Sequence, residues 1–253
     1  MTFPYQPARD FISILRDERR DLLERLRQTR FTQLKPGFTY GQVIPHASYQ
    51  PWCDDERFLE LYEVIRAHTL VDVYRCYELY LCAIQAAKIE GDLVEVGVWK
   101  GGTGALMAAC FGGVEVHLFD TFAGVAKADA DKDTMYCGGE HSDTSRELVQ
   151  ALFARVGVTP NFHVGIFPDD TLADVPERVA LAHIDVDVYA SAKESFEAIW
   201  PRVQSGGFVI FDDYGFFGCE GVAEAVNELR QTVHDGTFIH NLNGHATFIK
   251  RAG

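Results

Sequence analysis

Two short acidic motifs carry the strongest chemical signal in this chain, His183-Ile184-Asp185-Val186-Asp187-Val188-Tyr189 and Phe211-Asp212-Asp213-Tyr214. Each closes an apolar run that reads as a β-strand, over 179–184 and 208–211. Asp185 and Asp187, two apart on an extended strand, point to one face, and Asp212 and Asp213 end the next strand. If those strands are neighbours, up to four carboxylates meet at the carboxyl edge of a sheet, where open α/β folds bind ligands. Like charges gathered this way need a cation or shared protons. Oxygen ligands favour a hard ion, magnesium or calcium, with manganese also suited. The plainer alternative is a set of separate, solvated turn acids.

A second signal lies at Val94-Glu95-Val96-Gly97-Val98-Trp99-Lys100-Gly101-Gly102-Thr103-Gly104. Glycines at a strand-to-helix turn let a ligand approach the backbone, and a following helix offers free N–H groups. The spacing excludes the dinucleotide fingerprint, because Gly97 is followed by Val98 and Trp99. Asp120 ends the next apolar run, 25 residues after Glu95, where a carboxylate can accept from both hydroxyls of a ribose. Glu95 interrupts an apolar strand, so its burial requires a partner, which the amino group of a bound cofactor would supply.

These residues need a scaffold, and the hydrophobic rhythm provides one. After Gly91, strands at 93–96, 114–119, 162–164, 179–184, 208–211, 237–240 and 247–250 alternate with helices beginning near 102 and 143 and spanning 190–203 and 221–233. Such alternation predicts an α/β fold with a parallel sheet. The last two strands have no helix between them, and Leu242-Asn243-Gly244 offers a turn, so they form an antiparallel hairpin. Upstream, 9–30 reads as an amphipathic helix, 35–55 as a Pro/Gly-broken lid carrying Tyr40, Tyr49 and Trp52, and 58–87 as a helix interrupted near Thr69. The resulting division is an N-terminal helical and lid segment, 1–68, and a cofactor-binding domain, 69–253.

Composition narrows the partners. The chain has 253 residues, 47% hydrophobic and 24% charged, which is ordinary for a folded globular protein. Its net charge of −14 disfavours nucleic acid. Residues 1–35 hold eight Lys or Arg against five Asp or Glu, so that segment is +3 and the remainder −17. No apolar run approaches the roughly 20 residues that span a bilayer, and no secretory signal opens the sequence, so the expected address is cytoplasmic. Six cysteines without C-x-x-C spacing are expected as free thiols. The apolar stripe of the first helix has no place in the sheet core, which points to a homo-oligomer.

The glycine motif, the His183–Tyr189 motif and Asp212-Asp213-Tyr214 together resemble the S-adenosylmethionine-dependent class I methyltransferases. More narrowly, they resemble the macrocin O-methyltransferase family, which methylates sugars in antibiotic biosynthesis. The resemblance runs from about Thr69 to the C-terminus and rests chiefly on the paired aspartates. It implies a Rossmann-like, mostly parallel seven-stranded sheet with helices on both faces, and a magnesium-dependent O-methyltransferase acting on a small hydroxylated acceptor. It also implies metal ligands at Asp185, Asp212 and Asp213, and a general base at Asp187. Either aspartate of the Asp185/Asp187 pair can fill either role, and His183 and His141 remain alternatives for the base. By the same analogy Glu95, Gly97 and Asp120, with Thr69 and Phe167, would contact S-adenosylmethionine, while 35–55 and 121–143 would close over the acceptor. Two other readings stay open: a hydroxylase-like enzyme on the same fold, which would require oxygen, and a cofactor-binding accessory module without turnover.

Overall fold

The computed structural model describes residues 50–216 and 218–252, together with 18 and 20–22. The predicted helix over 9–30 and most of the 35–55 lid, with Tyr40 and Tyr49, lie outside the described residues, apart from the helical positions 18 and 20–22. The chain divides into two compact units, 1–51 and 52–253. The larger holds every element discussed below.

Two helices precede the sheet. In α1 (Glu56–Ile65) the side chain of Asp55 accepts from the Phe58 N–H, and in α2 (Val73–Ala86) Asp72 accepts from the N–H groups of Tyr74 and Arg75. Such caps satisfy donors that the first turn leaves open. The Asp72 cap, with Thr69 Oγ1 accepting from the Val71 N–H, explains the break expected near Thr69. The fully buried Phe58 and Leu79 anchor the two helices in the core beneath the sheet. Trp52 packs edge-on against Tyr74 and Tyr77, with ring centroids at 5.1 and 5.9 Å.

The sheet has seven strands: β1 (Asp92–Val96), β2 (Val116–Asp120), β3 (Asn161–Val164), β4 (Val179–Ile184), β5 (Val203–Phe211), β6 (Gly236–His240) and β7 (Ala246–Lys250). Their spatial order is β3-β2-β1-β4-β5-β7-β6, with β1 to β5 parallel and β7 antiparallel to both β5 and β6. The strand assignment read from the sequence holds, and the C-terminal hairpin forms as expected. Asn241 Oδ1 closes its turn by accepting from the N–H groups of Asn243 and His245.

The central strands read as continuous apolar runs because both faces are covered. Leu93, Leu118, Leu181 and Ile210 face α1, α2, α3 (Gly102–Ala108) and α4 (Arg146–Arg155). Val94, Ala182, Val209 and Phe211 face α5 (Tyr189–Ile199) and α6 (Glu220–Thr232). One boundary differs from expectation. The helix predicted over 190–203 stops at Ile199, passes through one 3-10 turn containing Pro201, and β5 starts at Val203. Proline lacks the N–H that would extend a helix, and the polar start of β5, Gln204-Ser205-Gly206-Gly207, hides the strand from a hydrophobicity reading.

The order of the strands reverses between β1 and β4. Successive connections leave that point in opposite directions, and their loops open a crevice at the carboxyl ends of these two strands.

Candidate functional site

A cavity of about 230 Å³ fills that crevice. Its wall near β1 and β2 is made by the Gly97-Val98-Trp99 turn, Phe119 and Asp120, with Ile166 and Phe167 opposite. Its far end is made by Asp185, Asp187, Asp212 and Asp213. Gly97, Asp120, Thr69 and Phe167 therefore line one space with all four acids, although Glu95 does not.

The turn explains its own residues. Gly97 has φ +82°, and a Cβ there would stand 1.7 Å from the carbonyl oxygen of Asp185, so the approach of the β4 terminus alone demands glycine. Asp120 Oδ2 accepts from the N–H groups of Val98 at 2.6 Å and Trp99 at 2.9 Å, while Oδ1 accepts from Phe122 at 2.6 Å. A carboxylate offers about four acceptor positions. Three are used, leaving room for one hydroxyl where the sequence suggested two. Glu95 is fully buried, accepts from Thr103 Oγ1 at 2.8 Å and lies 3.0 Å from His183 Nδ1. Both contacts fall on Oε1, Oε2 is buried without a hydrogen-bond partner among the described residues, and Thr103 is the neighbour that reaches the cavity.

The acids converge by a different route from strand alternation. β4 ends at Ile184, and Asp185 extends its pairing by one bond, donating its N–H to the Val96 carbonyl at 2.9 Å. Asp187 then enters the left-handed region with φ +65°, and Asp213 does the same with φ +61°. These are sparsely populated conformations that Asp tolerates better than most residues, and they gather at functional sites. Carboxylate oxygens of Asp185, Asp212 and Asp213 come within 4.8 Å of one another. Burial first, then the charges of Asp212, Asp213 and Asp187, push Asp185 well above the ordinary carboxylate range. Burial and the charges of Asp212 and Asp187 do the same to Asp213. An all-oxygen donor set that repels itself fits a hard divalent cation.

Asp187 is raised by burial despite a hydrogen bond from Tyr136 and the proximity of His141, whose Nε2 is 3.9 Å from Asp187 Oδ2. Of the two histidines left open as bases, His141 lines the cavity and His183 does not. The 121–143 loop forms one wall through Thr121, Gly124, Tyr136 and His141. Asp133 pins that loop down: Oδ1 accepts from the Tyr189 N–H at the start of α5, and Oδ2 accepts from Asp129 within the loop.

Two partners of the acids escape the sequence reading. Arg75, on α2 and 7% exposed, reaches Asp212 Oδ2 at 2.6 Å, Asp213 Oδ1 at 3.3 Å and Asp72 Oδ2 at 2.9 Å. Burial works against its charge, but the three carboxylates outweigh it and hold the guanidinium firmly protonated. His245, 1% exposed, stands between Glu78 Oε2 at 2.8 Å and Asp212 Oδ1 at 2.9 Å. Burial alone would raise Asp212, yet His245 and Arg75 keep it well below the usual carboxylate range. Neither residue belongs to a motif: Arg75 sits 137 positions before Asp212, and only the packing of α2 over β5 unites them.

Comparison with known proteins agrees with this geometry. Residues 46–251 match the macrocin-O-methyltransferase (TylF) family. An 8-demethyl-8-(2,3-dimethoxy-α-L-rhamnosyl)-tetracenomycin-C 4′-O-methyltransferase from Streptomyces olivaceus is 33% identical over 72% of this chain and 75% of its own length. The mycinamicin III 3″-O-methyltransferase of Micromonospora griseorubida is 33% identical over 65% of this chain and 70% of its own. Among solved structures, the O-methyltransferase NovP superposes with a TM-score of 0.63 at 24% identity, covering 73% of this chain and 83% of that one, which shows the shared fold. No helix among the described residues is long and apolar enough to cross a membrane. The chain belongs to the macrocin-O-methyltransferase (TylF) family, and it is a methyltransferase of class I architecture.

Proposed function

We propose that this protein is a magnesium-dependent O-methyltransferase that moves the methyl group of S-adenosylmethionine to a hydroxyl of a deoxysugar on a glycosylated natural product. The observation that carries the reading is the single cavity that joins the Gly97 turn and Asp120 to the four clustered carboxylates. The printed activities of the relatives, methyl transfer to glycosylated tetracenomycin and to mycinamicin III, support the acceptor class.

S-adenosylmethionine supplies an electrophilic methyl group, and its binding falls to Gly97, Asp120, Thr69 and Phe167. Asp120 takes one ribose hydroxyl through its remaining acceptor position. Glu95 contributes indirectly, by fixing Thr103 at the cavity wall. Asp185, Asp212 and Asp213 would hold magnesium, which would supply Lewis acidity toward the acceptor hydroxyls. Asp187 is the general base. Burial raises its proton affinity, the direction a general base needs, and Tyr136 and His141 lie beside its carboxylate. The wall formed by 121–143 encloses the acceptor and holds its hydroxyl in line with the donor, where positioning contributes much of the rate.

Calorimetric titration of S-adenosylmethionine and S-adenosylhomocysteine, then of magnesium before and after EDTA treatment, tests this directly. Cofactor binding, magnesium binding that weakens in Asp185→Asn, and EDTA-sensitive methyl transfer to a glycosylated acceptor are expected. Full activity in EDTA would remove the metal from the reaction, and an oxygen requirement would favour the hydroxylase-like alternative.

A further inference from the structure

Beneath the four-carboxylate cluster, on the α2 side of the sheet, lies a second group of potential ligands that shares only Asp212 with the proposed reaction. His183 on β4, Asp212 after β5 and His245 before β7 are 0%, 3% and 1% exposed. One ligand atom from each falls within 4.8 Å of the other two. His183 Nε2, His245 Nε2 and Asp212 Oδ1 are all buried without an aligned hydrogen bond. The remaining nitrogen of each ring is already committed: His183 Nδ1 lies 3.0 Å from Glu95 Oε1, and His245 Nδ1 lies 2.8 Å from Glu78 Oε2. A carboxylate accepts only, so each contact draws a proton to Nδ1. His183 Nε2 is then a lone pair turned inward, whereas His245 Nε2 faces Asp212 Oδ1 at 2.9 Å and shares a proton with it that a metal would displace.

An imidazole nitrogen left without a donor in a dry interior is unfavourable by itself. A single proton between His245 Nε2 and Asp212 Oδ1, 2.9 Å apart, would leave His183 Nε2 orphaned. A divalent ion satisfies all three. The donor set of two imidazole nitrogens and one carboxylate oxygen suits zinc or a neighbouring transition ion better than magnesium. Carboxylates behind both ligating imidazoles are the usual support of such sites. Zinc bonds of about 2.0–2.1 Å put tetrahedral ligands roughly 3.3 Å apart, so closure from within 4.8 Å takes small side-chain movements. The carboxylates in direct contact with the site are Glu78, Glu95 and Asp212, and the guanidinium beside it is that of Arg75.

We propose that His183, His245 and Asp212 form a buried transition-metal site, with Glu95 and Glu78 orienting its histidines and Asp212 presenting its second oxygen to the carboxylate cluster. The site would tie β4, β5 and β7 together under the catalytic cavity. It shares only Asp212 with the magnesium ligands: Asp185 and Asp213 belong only to the carboxylate cluster, and the histidines only to this one.

The test titrates metal-stripped full-length protein with zinc, and with cobalt as a visible-absorption probe, in excess magnesium. One tight equivalent of zinc is expected, retained in Asp185→Asn. Glu78→Gln should weaken it by roughly 10–100-fold, the usual effect of removing an orienting partner. His183→Gln and His245→Gln, checked for native circular dichroism, should weaken it further. Should either histidine variant fail to fold, X-ray absorption of the zinc-loaded wild type decides, with imidazole scattering at about 2.0–2.1 Å expected. The proposal fails if zinc does not bind, if magnesium displaces it, or if binding is lost in Asp185→Asn and kept in His183→Gln. A crystal structure from zinc-containing solution with only a water among the three atoms would also overturn it.

Discussion

Arg75→Met is the substitution that most directly probes how the acid cluster is balanced. Arg75 is the fixed cation of the site, at 2.6 Å from the buried Asp212 and 3.3 Å from Asp213. Replacing it with an apolar side chain of similar length leaves Asp212 with His245 alone. Breaking a buried ion pair on one side costs about 3–5 kcal/mol. In a domain of this size about 1 kcal/mol moves Tm by roughly 2–4 °C, so the loss in EDTA should be about 6–20 °C. Magnesium should then behave differently in the two proteins. An ion held by Asp185, Asp212 and Asp213 neutralises the charge that Arg75 covered, and it no longer meets the repulsion of the guanidinium. Magnesium at about 100 times its Kd stabilises by roughly 2.7 kcal/mol. Each tenfold gain in affinity at that same concentration adds about 1.4 kcal/mol. Thermal unfolding with EDTA and across a magnesium series, for wild type, Arg75→Met and Arg75→Lys, measures both effects. The expected pattern is a large loss in EDTA for Arg75→Met, partly recovered in magnesium, with a magnesium shift at least about 3 °C larger than in wild type. Equal magnesium shifts in the two proteins would show that the ion does not share Asp212 and Asp213 with Arg75. An Arg75→Met protein as stable as wild type in EDTA would refute the ion-pair argument itself.

Three further outcomes follow from the same geometry. Asp187→Asn should bind S-adenosylmethionine and magnesium as wild type does but lose roughly 10²–10⁴-fold in methyl transfer, the usual contribution of a positioned base; retained turnover would pass the role to His141. Gly97→Ala puts a Cβ 1.7 Å from a backbone oxygen at φ +82°, so urea unfolding should show a loss of more than about 4 kcal/mol, and a loss under about 1 kcal/mol would mean that the β1 turn yields freely. The stacked pair His117 and His163, with Nδ1 and Nε2 3.0 Å apart, is depressed by burial, and His117 also by its neighbour's charge. Because the unfolded chain then binds more protons, this contribution is complete above about pH 6.5 and is lost as pH falls below it. Tm measured from pH 8 to 5 should therefore decline more steeply for wild type than for His117→Gln, and parallel curves would exclude the pair as the cause.

The strands, their mostly parallel direction and the edge that carries chemistry were legible because each writes itself locally, whereas the order of the strands was not. An apolar run buried on both faces, such as 179–184, leaves no other reading, and the acids that follow it can only lie at the carboxyl edge. What was not legible depends on contacts remote in sequence. Asp185 and Asp187 meet through a left-handed turn, not through strand alternation, and nothing in the dipeptide spacing distinguishes the two. Glu95 looked like a cofactor ligand because a buried carboxylate needs a partner. One oxygen meets His183, 88 positions later on the adjacent strand and in register with it, a contact that no local spacing reveals. Arg75 and His245 are single charged residues in otherwise ordinary segments, and only the docking of α2 gives them meaning.

That division has a physical consequence for how the site works. The motif residues Asp185, Asp187, Asp212 and Asp213 supply negative charge, whereas the remote residues decide how much of it is neutralised and on which oxygen. Asp212 is the pivot: Arg75 lies at Oδ2 and His245 at Oδ1, so its carboxylate is fixed in rotation and stays ionised. Asp185 has no such cation, and Asp213 has only the longer contact to Arg75, so both are driven toward holding protons. On the proposed reading, a cluster with one anchored anion and two frustrated ones would exchange protons for a cation at little structural cost. The intermediate balance set by one arginine and one histidine is what makes these four acids a site.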